Sequence, residues 1–359
     1  MTLYWLLYLV PSTLAFFGSR KIVNPNVSFL NSINFLLLFS ILILTLFIGF
    51  RHEVGGDWVA YLKLFNISQD QNLFQVLSPF GDPGYQLINY FSGKLGFGIY
   101  GVNFFCALVF SIGLIFFCNT LPRPMLAIAI SIPYMVVVVS MGYTRQALAL
   151  GIMMMALMGL RNRKNLVFVS FILVAATVHK TAILILPLAA VISNTNRIRT
   201  YLFIGITCAL AYFIFLEEAF SALFRNYIQS PYQSQGALIR LFMSAVPATI
   251  LLIWFRRFNF NTYEEKIWKI FSWVSLILFF TLFFISSMST AIDRIGLYLL
   301  PLQLVVFSNL PDLFGKRGEL NQLIILIIIL YYAAVMFVWL NFAFHSQFWL
   351  PYQNIILNI

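Results

Sequence analysis

Residues 323–340 read LIILIIILYYAAVMFVWL, a run without one charged side chain, and residues 35–50 (FLLLFSILILTLFIGF) and 102–117 (VNFFCALVFSIGLIFF) repeat the pattern. A helix crosses a bilayer with about 20 apolar residues, and it satisfies every backbone N–H and C=O within itself, as hydrocarbon requires. Barrel strands of an outer membrane alternate apolar and polar residues with a period of two, which these runs do not. Such runs recur along all 359 residues, of which 61% are hydrophobic and 9% charged. A soluble domain carries about 25% charged residues, so this chain has too little polar surface to coat a globule. The reading is an all-α polytopic membrane protein, a single transmembrane domain over 1–359.

Cutting the apolar runs at charged and Pro/Gly clusters places spans near 3–18, 29–50, 98–118, 124–141, 143–160, 165–178, 181–193, 200–216, 239–255, 268–287, 292–310 and 320–341. That is about 11–12 transmembrane helices. Leu3–Phe17 lacks the basic lead and small-residue cleavage site of a signal peptide and counts as a span. Leu166–Ile192 is interrupted by His179-Lys180, so it forms either two short spans or a re-entrant hairpin. Cys106, Cys118 and Cys208 sit in apolar runs, with neither a disulfide framework nor metal-ligand spacing.

Orientation follows from lysine and arginine, which concentrate in cytoplasmic loops. With the N-terminus outside, the inner loops hold 14 of the 22 basic residues against 4 of the 11 acids, a net +10 out of +11. The basic balance is therefore a topology signal and not a nucleic-acid footprint. Eight basic residues remain outside: Arg51, Lys63, Lys94, Arg145, Lys180, Arg225, Arg240 and Arg294. Charge at the membrane edge costs free energy unless it is paired, hydrated or bound to ligand. A polyanionic ligand on the extracytoplasmic face would explain them; the extracytoplasmic loops fall at about 51–97 and 217–239.

Arg51-His52-Glu53-Val54-Gly55-Gly56-Asp57-Trp58 follows the second span. Gly55-Gly56 permits positive φ and offers backbone N–H groups to an anion, while Asp57 is placed to cap an interfacial helix bearing Trp58, Tyr61, Leu62 and Phe65. Asp82-Pro83 reads as a helix N-cap and first turn, and equally as a carboxylate for sugar hydroxyls. Arg145 opens a span; a lysine would anchor it as well, whereas the planar guanidinium also binds phosphate bidentately. His179 and Lys180 are two costly polar groups in one turn, open to a base or a phosphate-binding role. Arg225, Tyr227 and Tyr232 lie in the 217–239 loop, where the tyrosines suit a membrane belt. Arg240 heads another span, and Asp293 pairs with Arg294 or caps a helix on which Arg294 and Tyr298 share a face at i, i+4.

These segments resemble the EpsG/Wzy family of integral-membrane polysaccharide polymerases, through Phe50–Trp58 with Tyr61, Asp82-Pro83-Gly84-Tyr85, Arg145-Gln146, His179-Lys180-Thr181-Ala182, and Asp293-Arg294 with Tyr298. Two departures stand out: Gly56 where the family usually has Thr, and Asp82 where it usually has Glu. The resemblance implies a GT-C-like glycosyltransferase architecture and a metal-independent polymerase of the bacterial inner membrane, working without a cofactor. It would transfer a growing glycan from undecaprenyl diphosphate to the non-reducing end of a lipid-linked repeat unit on the outer face, with a chain-length regulator protein as partner. Asp57, His179 and Asp293 are then the base candidates. Arg51, Arg145, Lys180, Arg240, Arg294, Tyr61, Asp82 and Tyr298 bind diphosphate or sugar, the four arginines converging on one pocket. An O-antigen ligase uses the same donor and face, and a flippase the same lipid, though a flippase calls for charges along a central cavity and inverted repeats. An O-acyltransferase leaves the arginines unexplained.

Overall fold

The computed structural model describes residues 1–21, 35–78, 81–162, 164–189, 202, 205–206, 209, 236–285, 289–317 and 319–357. Among them the regular structure is helical, with one isolated antiparallel bridge between Arg51 and Asn354. The chain divides into two compact units: unit 1 is Met1–Ser78, Pro83–Met154 and Phe307–Ile359, and unit 2 is Pro79–Asp82 and Met155–Val306. Parts of the expected spans 29–50, 181–193 and 200–216, together with Cys208, Arg225, Tyr227 and Tyr232, lie outside the described residues.

Unit 1 begins with α1 (Thr2–Phe17), α2 (Phe35–Gly49), α3 (Trp58–Gln69), α4 (Leu73–Val76), α5 (Pro83–Lys94) and α6 (Gly98–Asn119). Then α7 (Pro124–Ser131) runs on as a π-helix over Ile132–Ser140, and α8 (Thr144–Arg161) leads into unit 2. Pro133 accounts for the wide turn, because its missing N–H interrupts the i→i−4 ladder. The Trp349 indole donates to the carbonyl of Val137 within that turn (2.7 Å). Where α6 crosses α8, Gly113 faces Gly151, and a Cβ on either would strike the other helix's backbone. Small residues let helices approach closely where hydrocarbon supplies no hydrophobic drive between them.

Unit 2 holds α9 (Asn165–Val178), a 3₁₀ turn at Lys180–Ile185, α10 (Ala237–Ile253), α11 (Thr262–Phe284), α12 (Ser289–Gly296), a 3₁₀ turn at Leu297–Leu299 and the start of α13 (Pro301–Phe314). The α9 helix stops at His179, whose backbone is extended, as the His-Lys break in the apolar run implies. Leu241 of α10, Leu282 of α11 and Ile292 of α12 pack into one apolar cluster.

At 1.5 Å per residue a helix needs about 20 residues to cross the hydrocarbon core. The α6 (22 residues), α11 (23 residues) and α14 (Gln322–Phe342, 21 residues) helices meet that length, and α12–α13 forms a fourth apolar segment bent by 46°. The span expected at 292–310 thus falls on a bent helix pair, a broken span or a re-entrant loop. The break falls before Pro301, which lacks an N–H and clashes with the preceding turn. Among the described residues five further apolar segments, α1, α2, Pro124–Ser140, α9 and α10, are shorter. In α14, Ile325, Ile328, Tyr332, Met336 and Leu340 are buried while Leu323, Ile327 and Leu330 on other faces are exposed. A long helix apolar on both its packed and its open faces fits lipid and not water.

Each end of unit 1 gathers residues that the charge rule puts on one face. At one end Arg123 donates to Asp312 (3.1 Å) and to the carbonyls of Glu319 (2.6 Å) and Leu320 (3.3 Å), with Arg20 3.4 Å from Asp312. At the other, Tyr4 donates to the Trp349 carbonyl (2.9 Å) and Tyr352 to that of Phe47 (2.7 Å), beside Arg51.

Candidate functional site

In unit 1 the turn after α2 is held in an unusual backbone path, with Glu53 at φ 52° and Gly55 at φ 108°. The second conformation suits glycine, and a Cβ at Gly55 would also collide with the Met141 carbonyl. The Gly55 N–H, read as part of an anion nest, donates instead to the Phe348 carbonyl (2.8 Å). Arg51 is 1% exposed. Its guanidinium donates to the carbonyls of Ile48 (2.7 Å) and Val54 (3.2 Å), to Thr144 Oγ1 (2.8 Å) and, at 3.4 Å, to Asn103 Oδ1. Burial disfavours its charge and pulls its pKa below the usual guanidinium range. His52 lies at the surface with Nδ1 2.7 Å from the Tyr100 hydroxyl.

Thr144, the residue Arg51 holds, opens α8, and Arg145 follows it. The Arg145 guanidinium stands over the rings of Tyr61 (5.8 Å) and Tyr85 (5.9 Å), whose own centroids are 5.8 Å apart. Such cation–ring contacts are attractive, more so when shielded from water. The Tyr85 hydroxyl has no hydrogen-bond partner among the described residues, and burial pushes its pKa well above the usual phenol range, so it stays neutral. Asp57 takes the N-cap position of α3 without a side-chain capping bond. Trp58 and Tyr61 are buried, whereas Leu62 is exposed.

In unit 2 Asp82, directly before α5, turns its carboxylate toward the end of α9. Its Oδ1 accepts the Lys180 N–H (3.3 Å) and its Oδ2 lies 4.0 Å from His179 Nδ1, both side chains being largely buried. In the next turn the Thr181 and Tyr298 hydroxyls meet at 3.2 Å, with Tyr298 fully buried. Asp293 pairs with Arg240 in a bidentate fork, Nε to Oδ1 and Nη2 to Oδ2 each at 2.7 Å. Sequence had offered Arg294 as its partner. Arg294 ends α12, and the helix narrows to 3₁₀ geometry before Tyr298.

The structure thus brings Arg145 together with Tyr61, Asp82 with His179 and Lys180, and Arg240 with Asp293. Arg51 and Arg145 belong to unit 1, and Arg240 and Arg294 to unit 2. Sequence reading gave no role to Tyr85, Thr144 or Trp349. Tyr85 stood in a quoted motif, but its place under Arg145 carries no local signal. Among the described residues no three His, Cys, Asp or Glu side chains form a metal-ligand group. An apolar groove of about 360 Å³ opens in unit 1 between α1, α2 and α7, lined by Leu3, Val10, Leu14, Phe39, Ile43 and Met125 among others.

No curated protein and no solved structure matches the chain significantly. A family model does, over residues 34–354, so that nearly the whole chain with its Arg51–Trp58 turn, Asp82–His179 pair and Asp293 belongs to the EpsG family, which corresponds to polysaccharide polymerases of the Wzy type.

Proposed function

We propose that the protein extends a polysaccharide by transferring the growing glycan from undecaprenyl diphosphate to the non-reducing-end hydroxyl of an incoming lipid-linked repeat unit. The reaction takes place on the extracytoplasmic face of the bacterial inner membrane. The observation that carries this reading is the Asp82–His179 pair, a carboxylate and an imidazole held within ion-pair reach by residues 97 apart, at the point where an apolar helix ends. An imidazole oriented by a carboxylate is suited to take a proton from an attacking hydroxyl, and such contacts tighten once substrate binds.

In the transfer, the acceptor oxygen bonds to the anomeric carbon of the donor sugar as that carbon's bond to the diphosphate breaks. The acceptor proton passes to His179, and undecaprenyl diphosphate leaves with the bonding electrons. Lys180, Arg294 and Tyr298, in the same unit as His179, are the groups for phosphate or sugar contact; taken by itself, unit 1 offers Arg145 as a cation suited to a phosphate group. Asp293 is the weaker base candidate, since both its oxygens are engaged by Arg240. The groove between α1, α2 and α7 has the chemistry a polyprenyl chain requires. Fixed cations stabilise a departing diphosphate, so no divalent metal is needed. The expected protein partner is a chain-length regulator.

The test is polymer formation by purified protein given a lipid-linked repeat unit. Replacing His179 by Gln should lower turnover about 10²–10⁴-fold, the usual worth of a general base. Replacing Asp82 by Asn, which leaves the imidazole but not its orienting charge, should lower it less. Polymerisation should survive a chelator. Normal turnover by the His179→Gln protein removes the base assignment, and loss on chelation reversed by magnesium replaces arginine with a metal.

A further inference from the structure

We infer that Arg51 is a positioning residue, which through Thr144 fixes the first turn of α8 so that Arg145, braced on the rings of Tyr61 and Tyr85, meets an anionic phosphate group. The inference rests on the reading of Arg145 as the diphosphate cation. It departs from that reading in giving Arg51 no ligand contact and in adding Thr144 and Tyr85 to the apparatus.

Arg51 is 1% exposed, so a ligand reaches it only if the surrounding chain opens. Its N–H groups already serve two carbonyls in its own turn and two side chains from distant helices, Asn103 in α6 and Thr144 in α8. A guanidinium is the one side chain whose rigid fork reaches partners in several directions at once, and lysine does not reproduce it. The bond to Thr144 matters most, because Thr144 is the residue before Arg145. A shift of Thr144 moves the Arg145 backbone directly.

Arg145 differs from Arg51 in its burial. It is half-buried, and it rests on two tyrosine faces from α3 and α5. Ring contact restrains the long side chain, which lowers the entropy lost when an anion binds. The Tyr85 hydroxyl is neutral and buried, so its ring acts as a platform and not as a base.

The experiment measures the dissociation constant of inorganic pyrophosphate for the purified full-length protein, together with the thermal unfolding midpoint of each variant. A dissociation constant does not depend on how much protein each variant yields. Arg145→Gln should weaken binding about 10–100-fold, the loss of a charge-assisted bidentate contact. Thr144→Val and Arg51→Lys should each weaken it about 3–10-fold, a hydrogen bond's worth. The double variant should be no worse than Arg51→Lys alone, because both changes break one link. Thr144→Ser keeps the hydroxyl and should bind as wild type, Tyr85→Phe should be silent, and Tyr85→Leu should weaken binding about 2–5-fold. Wild-type binding by Thr144→Val, strict additivity in the double variant, or a lowered unfolding midpoint with unchanged binding overturns the positioning role while leaving Arg145 in place. Wild-type binding by Arg145→Gln, or no saturable pyrophosphate binding at all, overturns the diphosphate reading itself.

Discussion

Both carboxylate oxygens of Asp293 accept hydrogen bonds from Arg240, and the two side chains are 9% and 13% exposed. Two charges so placed hold each other, and removing one leaves the other desolvated and unmatched. Loss of one partner of a buried pair costs about 3–5 kcal/mol, whereas loss of both costs much less. Asp293→Asn and Arg240→Gln should therefore each lower the stability of the purified protein, and the double variant should recover a large part of the loss. Equal and additive losses in denaturant unfolding would show that the pair contributes little. The sequence displayed every member of these constellations and concealed their pairing. Arg240 and Asp293 lie 53 residues apart, Arg51 and Thr144 93, and Asp82 and Lys180 98. Residue type announces that a buried charge must be matched, but only the packing of distant helices decides by what.

Helices were legible where polarity interrupts an apolar run, and poorly legible where it does not. The stop of α9 at His179 was visible, because two polar residues cannot continue a lipid-facing segment. The 46° break before Pro301 was hidden within Leu299-Leu300-Pro301-Leu302, whose hydropathy continues across it. Membrane helices tolerate proline when neighbouring groups satisfy what it leaves. The π-helix over 132–140 belongs to the same class: Pro133 was in view, but the residue that attends to the widened turn, Trp349, comes from the far end of the chain. Its indole N–H bonds the Val137 carbonyl, and its ring lies where a Cβ on Gly142 would go. Trp349→Phe keeps most of the packing and removes the donor, leaving a buried carbonyl unsatisfied at a cost of about 1–3 kcal/mol. A matching fall in unfolding free energy is expected. No fall would mean that another donor replaces the indole and that the wide turn does not depend on the C-terminal segment.

At the scale of the whole chain, the lysine and arginine bias assigns each helix end to a face. Arg20, Arg123 and Asp312, all from loops read as inner, meet in one ion-paired cluster, while Arg51, read as outer, hydrogen-bonds Thr144 and shares a backbone bridge with Asn354. In unit 2, Arg161 pairs with Glu264 at 2.6 Å, two residues also assigned inside. Shared faces do not by themselves say which face is cytoplasmic. That step rests on the lysine and arginine bias, which acts during insertion and leaves no trace in the contacts. Single cysteines at Asn162 and at Gln71, in a protein with Cys208 replaced by Ser, test it with a membrane-impermeant thiol reagent on intact spheroplasts. Cys106 and Cys118 are buried and give little background. Asn162 is exposed and flanked by Arg161, Arg163 and Lys164, so it should react only after the membrane is opened. Gln71 lies between α3 and α4 in the 51–97 loop and should react at once. Labelling at Asn162 but not at Gln71 would reverse the orientation and carry Arg51, Arg145, Asp82 and His179 to the cytoplasmic face. A reaction there would draw on lipid-linked sugars before their export, which is a different enzyme from the polymerase proposed.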